Sequence, residues 1–155
     1  MRPVVRQRGL CFEDFSIGDE FDHHWGRTLL LGESIAYSTR MMQFNPLYFD
    51  ATYARRLGYA AIPINPMLVY STVLGLSVED LSEAGGPFLG VEDLEFGATM
   101  YDGDTVRASS VVLSSKPTRS RPGWGVVEWA TTGRNQRDEV VVGYRRSNLS
   151  RMRAA

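Results

Sequence analysis

The stretch from Pro66 to about Leu76 carries no charged residue and sets apolar side chains on nearly every face: Met67, Leu68, Val69, Tyr70, Val73, Leu74 and Leu76. A helix of this kind has no side suited to water, so it is expected inside a protein with other elements wrapped around it. Its start is marked twice. Asn65 is a favoured N-cap, and Pro66 fits the first helical position, where the missing N–H would have had no intrahelical partner. Ser77 and Asp80 have the spacing of a capping box, which predicts one more short turn ending near Leu81.

The segments on either side differ in kind. Before the helix, Glu20 to Leu31 alternates as a first strand, with Phe21 and Trp25 among its larger residues, and Leu31-Gly32 breaks it. Glu33 to Met42 has helical spacing. Gln43-Phe44-Asn45-Pro46-Leu47-Tyr48-Phe49 has no clean period, and Pro46 keeps Asn45 out of helix. Asp50 caps a short helix, Ala51 to Leu57, which Gly58 ends. After Ala84-Gly85-Gly86-Pro87 the pattern turns to strands: Phe88 to Phe96, Thr105 to Ser114, Gly125 to Thr132 and Val140 to Arg146. Turns fall at Asp102-Gly103-Asp104 and Asn135 to Asp138, with a Pro- and Gly-rich loop at Ser120 to Gly125.

A sheet of these strands has one face to cover, and only one helix is apolar enough to cover it. The expected fold class is therefore α+β: a curved antiparallel sheet wrapped around one central helix, the hotdog arrangement. There is no internal repeat, so one copy is expected. The boundaries read as a basic arm at 1–10, one domain at 11–149 with Phe12 and Phe15 as a short apolar plug, and a frayed basic tail at 150–155.

At 155 residues, with 43% hydrophobic and 23% charged, the chain is long enough for one self-sufficient core. A formal net charge of −1 argues against general affinity for nucleic acid or anionic membranes. One cysteine, Cys11, excludes an internal disulfide and a thiolate zinc site. His23 and His24 are adjacent, point to opposite faces of a strand, and read as surface residues, with a role as base left open if one faces a cleft. Asp102 and Asp104 read as turn residues and not as metal ligands, so no metal is expected. No apolar run can span a bilayer and no signal-peptide core is present, which reads as a cytoplasmic protein.

Gln43-Phe44-Asn45-Pro46-Leu47-Tyr48, then Tyr53-Ala54, the apolar helix from Asn65, and Tyr101-Asp102-Gly103-Asp104-Thr105 together resemble the MaoC-like hotdog hydratases. The likeness runs from about Phe12 to Leu149. Leu74-Gly75-Leu76-Ser77-Val78-Glu79-Asp80 and Asn135-Gln136 are similar to the mesaconyl-CoA and itaconyl-CoA hydratase-like subgroup. The resemblance implies reversible hydration of a 2-enoyl thioester, with coenzyme A or pantetheine as part of the substrate and no separate cofactor. It further implies a homodimer or higher even oligomer, with the acyl site between protomers.

In that family an Asp and a His orient and activate a water, as suits groups that exchange protons near neutral pH. A backbone N–H at the start of the buried helix polarises the thioester carbonyl. Here Gln43 stands in place of the Asp and Tyr48 in place of the His. A glutamine amide is no base, and a phenol of ordinary pKa about 10 is a poor one. The usual His-Gly at the helix start is Asn65-Pro66, and proline has no N–H. An oxyanion contact would have to come from the Met67 N–H or the Asn65 amide.

Gln43, Asn45, Tyr48 and Asn65 are the expected catalytic positions. Pro66 and Met67 should adjoin the substrate, Arg40 is a candidate to hold a free carboxylate on the acyl group, and Arg119 or Arg121 are candidates for the coenzyme A phosphates. Two other classes stay open: a non-catalytic acyl-thioester-binding subunit, and a thioesterase or lyase acting on an acyl-carrier-protein thioester.

Overall fold

The computed structural model of the chain describes residues 9–153. Most of the expected N-terminal arm, 1–8, and the last two residues lie outside the described residues. Five antiparallel strands form one sheet: β1 (Glu20–Thr28), β2 (Phe88–Phe96), β3 (Thr105–Pro117), β4 (Trp124–Asn135) and β5 (Val140–Arg151), in the order β1-β3-β4-β5-β2. Helix α1 is Leu31–Arg40, α2 is Ala51–Arg56, α3 is Pro66–Leu76 and α4 is Val78–Leu81. Helix α3 matches the bounds read from the sequence and packs across one sheet, against β1, β3, β4 and β5, as the hotdog arrangement requires.

The packing explains why α3 is charge-free. Leu68, Val69, Val73 and Leu76 are buried against Val106 and Ala108 of β3 and Val142 and Tyr144 of β5. Where the helix comes closest, β4 carries Gly133: a Cβ there would lie 2.6 Å from Val73 Cγ2. A second cluster sits beyond the end of α3, where Phe15 packs edge-on against Trp129 at 5.2 Å, with Leu81, Val112 and Val127 around them. Phe15 is therefore the apolar plug expected at the N-terminus of the domain.

Three details differ from the sequence reading, each for a physical reason. Helix α1 starts at Leu31 and not at Glu33, because Asp102 Oδ1, 71 residues away in sequence, accepts the Leu31 N–H at 2.6 Å and supplies the cap. The short turn of α4 forms, but without a capping box: Ser77 Oγ donates to the Leu74 carbonyl at 2.7 Å, and Asp80 is engaged elsewhere. The tail expected to fray from Ser150 is instead strand through Arg151. Ser150 is buried, and the Met152 N–H donates to the Gly123 carbonyl at 2.9 Å. The polar run Ser147 to Ser150 hid this, since its inward residues are Asn148 and Ser150.

His23 differs most from expectation. His24 is exposed, as read, but His23 is 4% exposed, with Nδ1 2.6 Å from Asp80 Oδ2 and Nε2 2.9 Å from Ser110 Oγ. Ser110 continues to Thr131 Oγ1 at 2.8 Å. The ladder between β1 and β3 is irregular between Asp22 and Gly26, and this is where His23 reaches inward. The pair thus ties the edge strand to α4. Arg146, 2% exposed, lies over the Trp129 ring at 5.3 Å and reaches the Ser77 carbonyl at 3.5 Å, where the negative end of α3 offsets its charge. Among the described residues no helix is long and apolar enough to cross a membrane.

Candidate active site

Asn65 is the hub at the head of α3. It is 1% exposed, and every polar group of the residue is engaged. Its Oδ1 accepts the Met67 N–H at 2.9 Å, which is the N-cap bond the sequence predicts. Its Nδ2 donates to Ser38 Oγ and to Gln43 Oε1, both at 2.8 Å, and its backbone N–H donates to Ser34 Oγ at 2.8 Å. Ser34 and Ser38 lie one helical turn apart on the inner face of α1, which is how that helix presents two hydroxyls to one residue. The backbone carbonyl of Asn65 accepts from Leu68 N–H at 2.9 Å and Val69 N–H at 3.2 Å.

Beside this hub a cavity of about 180 Å³ opens at the head of α3. Tyr48, Tyr59, Pro66 and Val69 line one side, and Phe96 to Met100, the segment leaving β2, lines the other. None of its lining residues is charged, and its side-chain hydroxyls are those of Tyr48, Tyr59 and Thr99. The segment is seated by Gly97 N–H to the Val141 carbonyl at 3.0 Å and Ala98 N–H to the Val140 carbonyl at 2.8 Å. Burial, followed by the neighbouring Tyr59, pushes the Tyr48 phenol above its ordinary value of 10.0. It is therefore neutral and a hydrogen-bond donor at physiological pH.

The residues singled out in the sequence fall into three groups. Gln43, Asn65 and the Met67 N–H form one hydrogen-bonded brace, while Tyr48 and Pro66 line the cavity. Asn45 is exposed, and its Oδ1 accepts the Leu47 N–H at 3.1 Å to cap the turn Pro46–Tyr48 that positions Tyr48. Arg40 is exposed at the end of α1. Arg119 and Arg121 are not brought to the cavity. They lie in the β3–β4 loop, and Arg121 stacks over Trp124 at 4.8 Å. The cavity reaches Val141 of β5, beside Gly133 and Arg134 at the opposite end of β4 from Trp124, which is some nine residues or about 30 Å of strand away. Tyr59 and Thr99 were missed in the sequence. The one local signal for Tyr59 was its place just after Gly58, which ends α2 with φ of 91°.

Asp102 and Asp104, bracketing Gly103, both hold structural hydrogen bonds. Asp102 caps α1. Asp104 accepts from Arg137 Nη1 at 3.0 Å and from the Tyr101 N–H at 2.9 Å, and Gln136 Nε2 also donates to it. This contact fastens the β4–β5 hairpin to the turn before β3. Among the described residues no group of three or more metal-ligating side chains is gathered.

Known proteins are similar to this chain in sequence and fold. The sequence profile described as mesaconyl-CoA hydratase matches residues 1–155. A mesaconyl-CoA hydratase of Haloarcula hispanica is 36% identical over 149 residues, covering 96% of this chain and 42% of the relative. A beta-methylmalyl-CoA dehydratase of Chloroflexus aurantiacus is 34% identical over 145 residues, covering 94% of this chain and 41% of the relative. A solved MaoC domain protein dehydratase of Chloroflexus aurantiacus superposes with a TM-score of 0.89 at 31% identity, over 98% of this chain and 43% of that one. The chain thus spans less than half the length of these proteins.

Proposed function

The chain belongs to the mesaconyl-CoA hydratase family, and from that premise we propose that it works as a hydratase or dehydratase, acting reversibly on a 2-enoyl thioester of coenzyme A. In the forward direction the hydroxyl of a water bonds to Cβ and a proton to Cα, and both atoms of the double bond become saturated. The acyl group we infer is short and branched or dicarboxylic, after the mesaconyl-CoA hydratase and beta-methylmalyl-CoA dehydratase relatives. The observation that carries the reading is the uncharged cavity at the head of α3, walled by two phenols, where an acyl thioester fits without burying a charge against it. Coenzyme A enters as part of the substrate, and the reaction needs no other cofactor. In this reading the protein acts in the cytoplasm. Arg40, exposed near the brace, holds a distal carboxylate, while Arg119 and Arg121, away from the acyl cavity, are the candidates for the coenzyme A phosphates.

The exposed side chains of Phe88, Leu89 and Phe96 on edge strand β2 favour pairing of two such units into a homodimer or larger even oligomer. Phe96 also lines the cavity, so a partner on that edge would border the acyl group.

A second reading is an acyl-thioester-binding subunit whose proton-transferring group comes from another hotdog unit. The brace favours it: the Gln43 carbonyl and the whole Asn65 amide are engaged within it, and no carboxylate or imidazole lines the cavity. A carrier-protein thioester, which presents the same pantetheine arm, is a third substrate form. Incubation with mesaconyl-, itaconyl- and crotonyl-CoA, following loss of the enoyl absorbance, separates these. Turnover supports the hydratase. Binding of the esters without turnover supports the subunit.

A further inference from the structure

We infer that the thioester carbonyl is polarised in this protein by the phenol hydroxyls of Tyr48 and Tyr59, and not by a backbone N–H at the head of α3. This rests on the hydration reading above and assigns the group that stabilises its transition state. As water adds to Cβ, negative charge collects on the thioester oxygen until Cα is protonated, and preformed donors aimed at that oxygen lower the barrier.

The helix head has none to give. Pro66 has no N–H. The Met67 N–H is held by Asn65 Oδ1 at 2.9 Å, and those of Leu68 and Val69 by the Asn65 carbonyl at 2.9 and 3.2 Å. The Asn65 amide hydrogens are committed to Ser38 and Gln43, and its backbone N–H to Ser34. Freeing the Asn65 amide for a substrate would leave buried partners unpaired, at about 1–3 kcal/mol for each.

The cavity supplies the replacement. Its walls offer three hydroxyls, on Tyr48, Tyr59 and Thr99, and no cation. Thr99 is exposed at the rim, whereas Tyr48 and Tyr59 are partly buried. Tyr48 is carried by the turn that Asn45 caps, and Tyr59 follows α2, so two separate elements bring phenols to one cavity. No side-chain hydrogen bond among the described residues acts on the Tyr48 phenol, only burial and Tyr59, so its proton is available to a ligand. A phenol kept neutral is a donor and not a base. It lends its hydrogen to the thioester oxygen and keeps its proton throughout, while the water supplies both the hydroxyl on Cβ and the hydrogen on Cα.

The test uses the full chain with crotonyl-CoA and mesaconyl-CoA, comparing the wild type with Tyr48→Phe, Tyr59→Phe and the double variant. Phenylalanine keeps the ring, and melting curves check folding. Expected are a fall in kcat of about a hundredfold or more for Tyr48→Phe, with KM changed less than threefold. The downshift of the bound thioester C=O stretch should shrink in each single variant and vanish in the double. That band is read on binding alone, so it reports even where turnover is absent. A folded double variant with the wild-type kcat, or with the wild-type carbonyl shift, overturns the assignment and leaves the hydratase reading standing. A wild type that binds neither ester overturns both.

Discussion

Gln43 Oε1 accepts a hydrogen bond from Asn65 Nδ2 at 2.8 Å, so Gln43 braces the head of the central helix. Asn65 is buried, so its amide cannot turn to water if Gln43 is lost. Gln43→Ala should lower the unfolding free energy by about 1–3 kcal/mol. Gln43→Glu, whose oxygen can still accept, should cost less than half as much. Urea midpoints at neutral pH check both, and equal losses in the two variants would refute the brace.

His23 and Asp80 hold the edge strand to the turn after α3 from positions 57 residues apart. The His23 side chain is fully buried, while that of Asp80 is one-third exposed. A double-mutant cycle on His23→Ala and Asp80→Ala should give a coupling of about 1–2 kcal/mol. Amide exchange in β1 and α4 should speed up together in either single variant.

Burial alone would raise the Asp104 carboxyl, but the hydrogen bonds from Arg137, Gln136 and the Tyr101 N–H outweigh it and hold the group below its ordinary 3.8. A carboxyl depressed in the folded state adds stability above its ordinary value, and that stability is lost as pH falls through the lowered one. Wild-type stability should therefore drop on acidification below about pH 4 more steeply than that of Asp104→Asn. Urea midpoints from pH 7 to pH 2.5 test this. Parallel curves for the two proteins would count against it.

Gly133 is required by the closeness of α3. Its added Cβ would meet Val73 Cγ2 at 2.6 Å and Val142 Cγ1 at 3.0 Å, both in the core. Gly133→Ala should cost about 1–3 kcal/mol by overpacking. Adding Val73→Ala should recover part of that loss, so the two changes should be non-additive in thermal unfolding.

The fold was legible where local chemistry and burial agree. Asn65-Pro66 marks the start of α3 by cap preference and by the missing N–H, and the charge-free run after it announces burial. The strand alternation of Val127, Trp129 and Thr131 likewise reads directly as one buried face. What stayed hidden depends on partners distant in sequence. Nothing near Leu31 shows that Asp102 will cap α1, and nothing near His23 shows that Asp80 and Ser110 await it. Asn148 and Ser150 face inward on β5 although their polarity reads as a tail. At the site, Gln43 and Asn65 were legible as positions, but only the geometry shows them bonded to each other. Tyr59 belongs to the cavity through the path of the chain after α2, which has no periodicity to read.

In the proposed function the cavity at the head of α3 receives the acyl group of an enoyl thioester, and the assembled protein hydrates it. The most direct measurement is the initial rate of enoyl-absorbance loss from mesaconyl-CoA for the wild type against Thr99→Trp, an exposed rim position where the indole fills the cavity without disturbing the core. Expected are steady conversion to the 3-hydroxyacyl thioester by the wild type and a loss of at least about tenfold in kcat/KM for a Thr99→Trp protein that melts normally. Equal rates for the two would contradict the site, and an unchanged enoyl spectrum with the wild type would contradict the reaction.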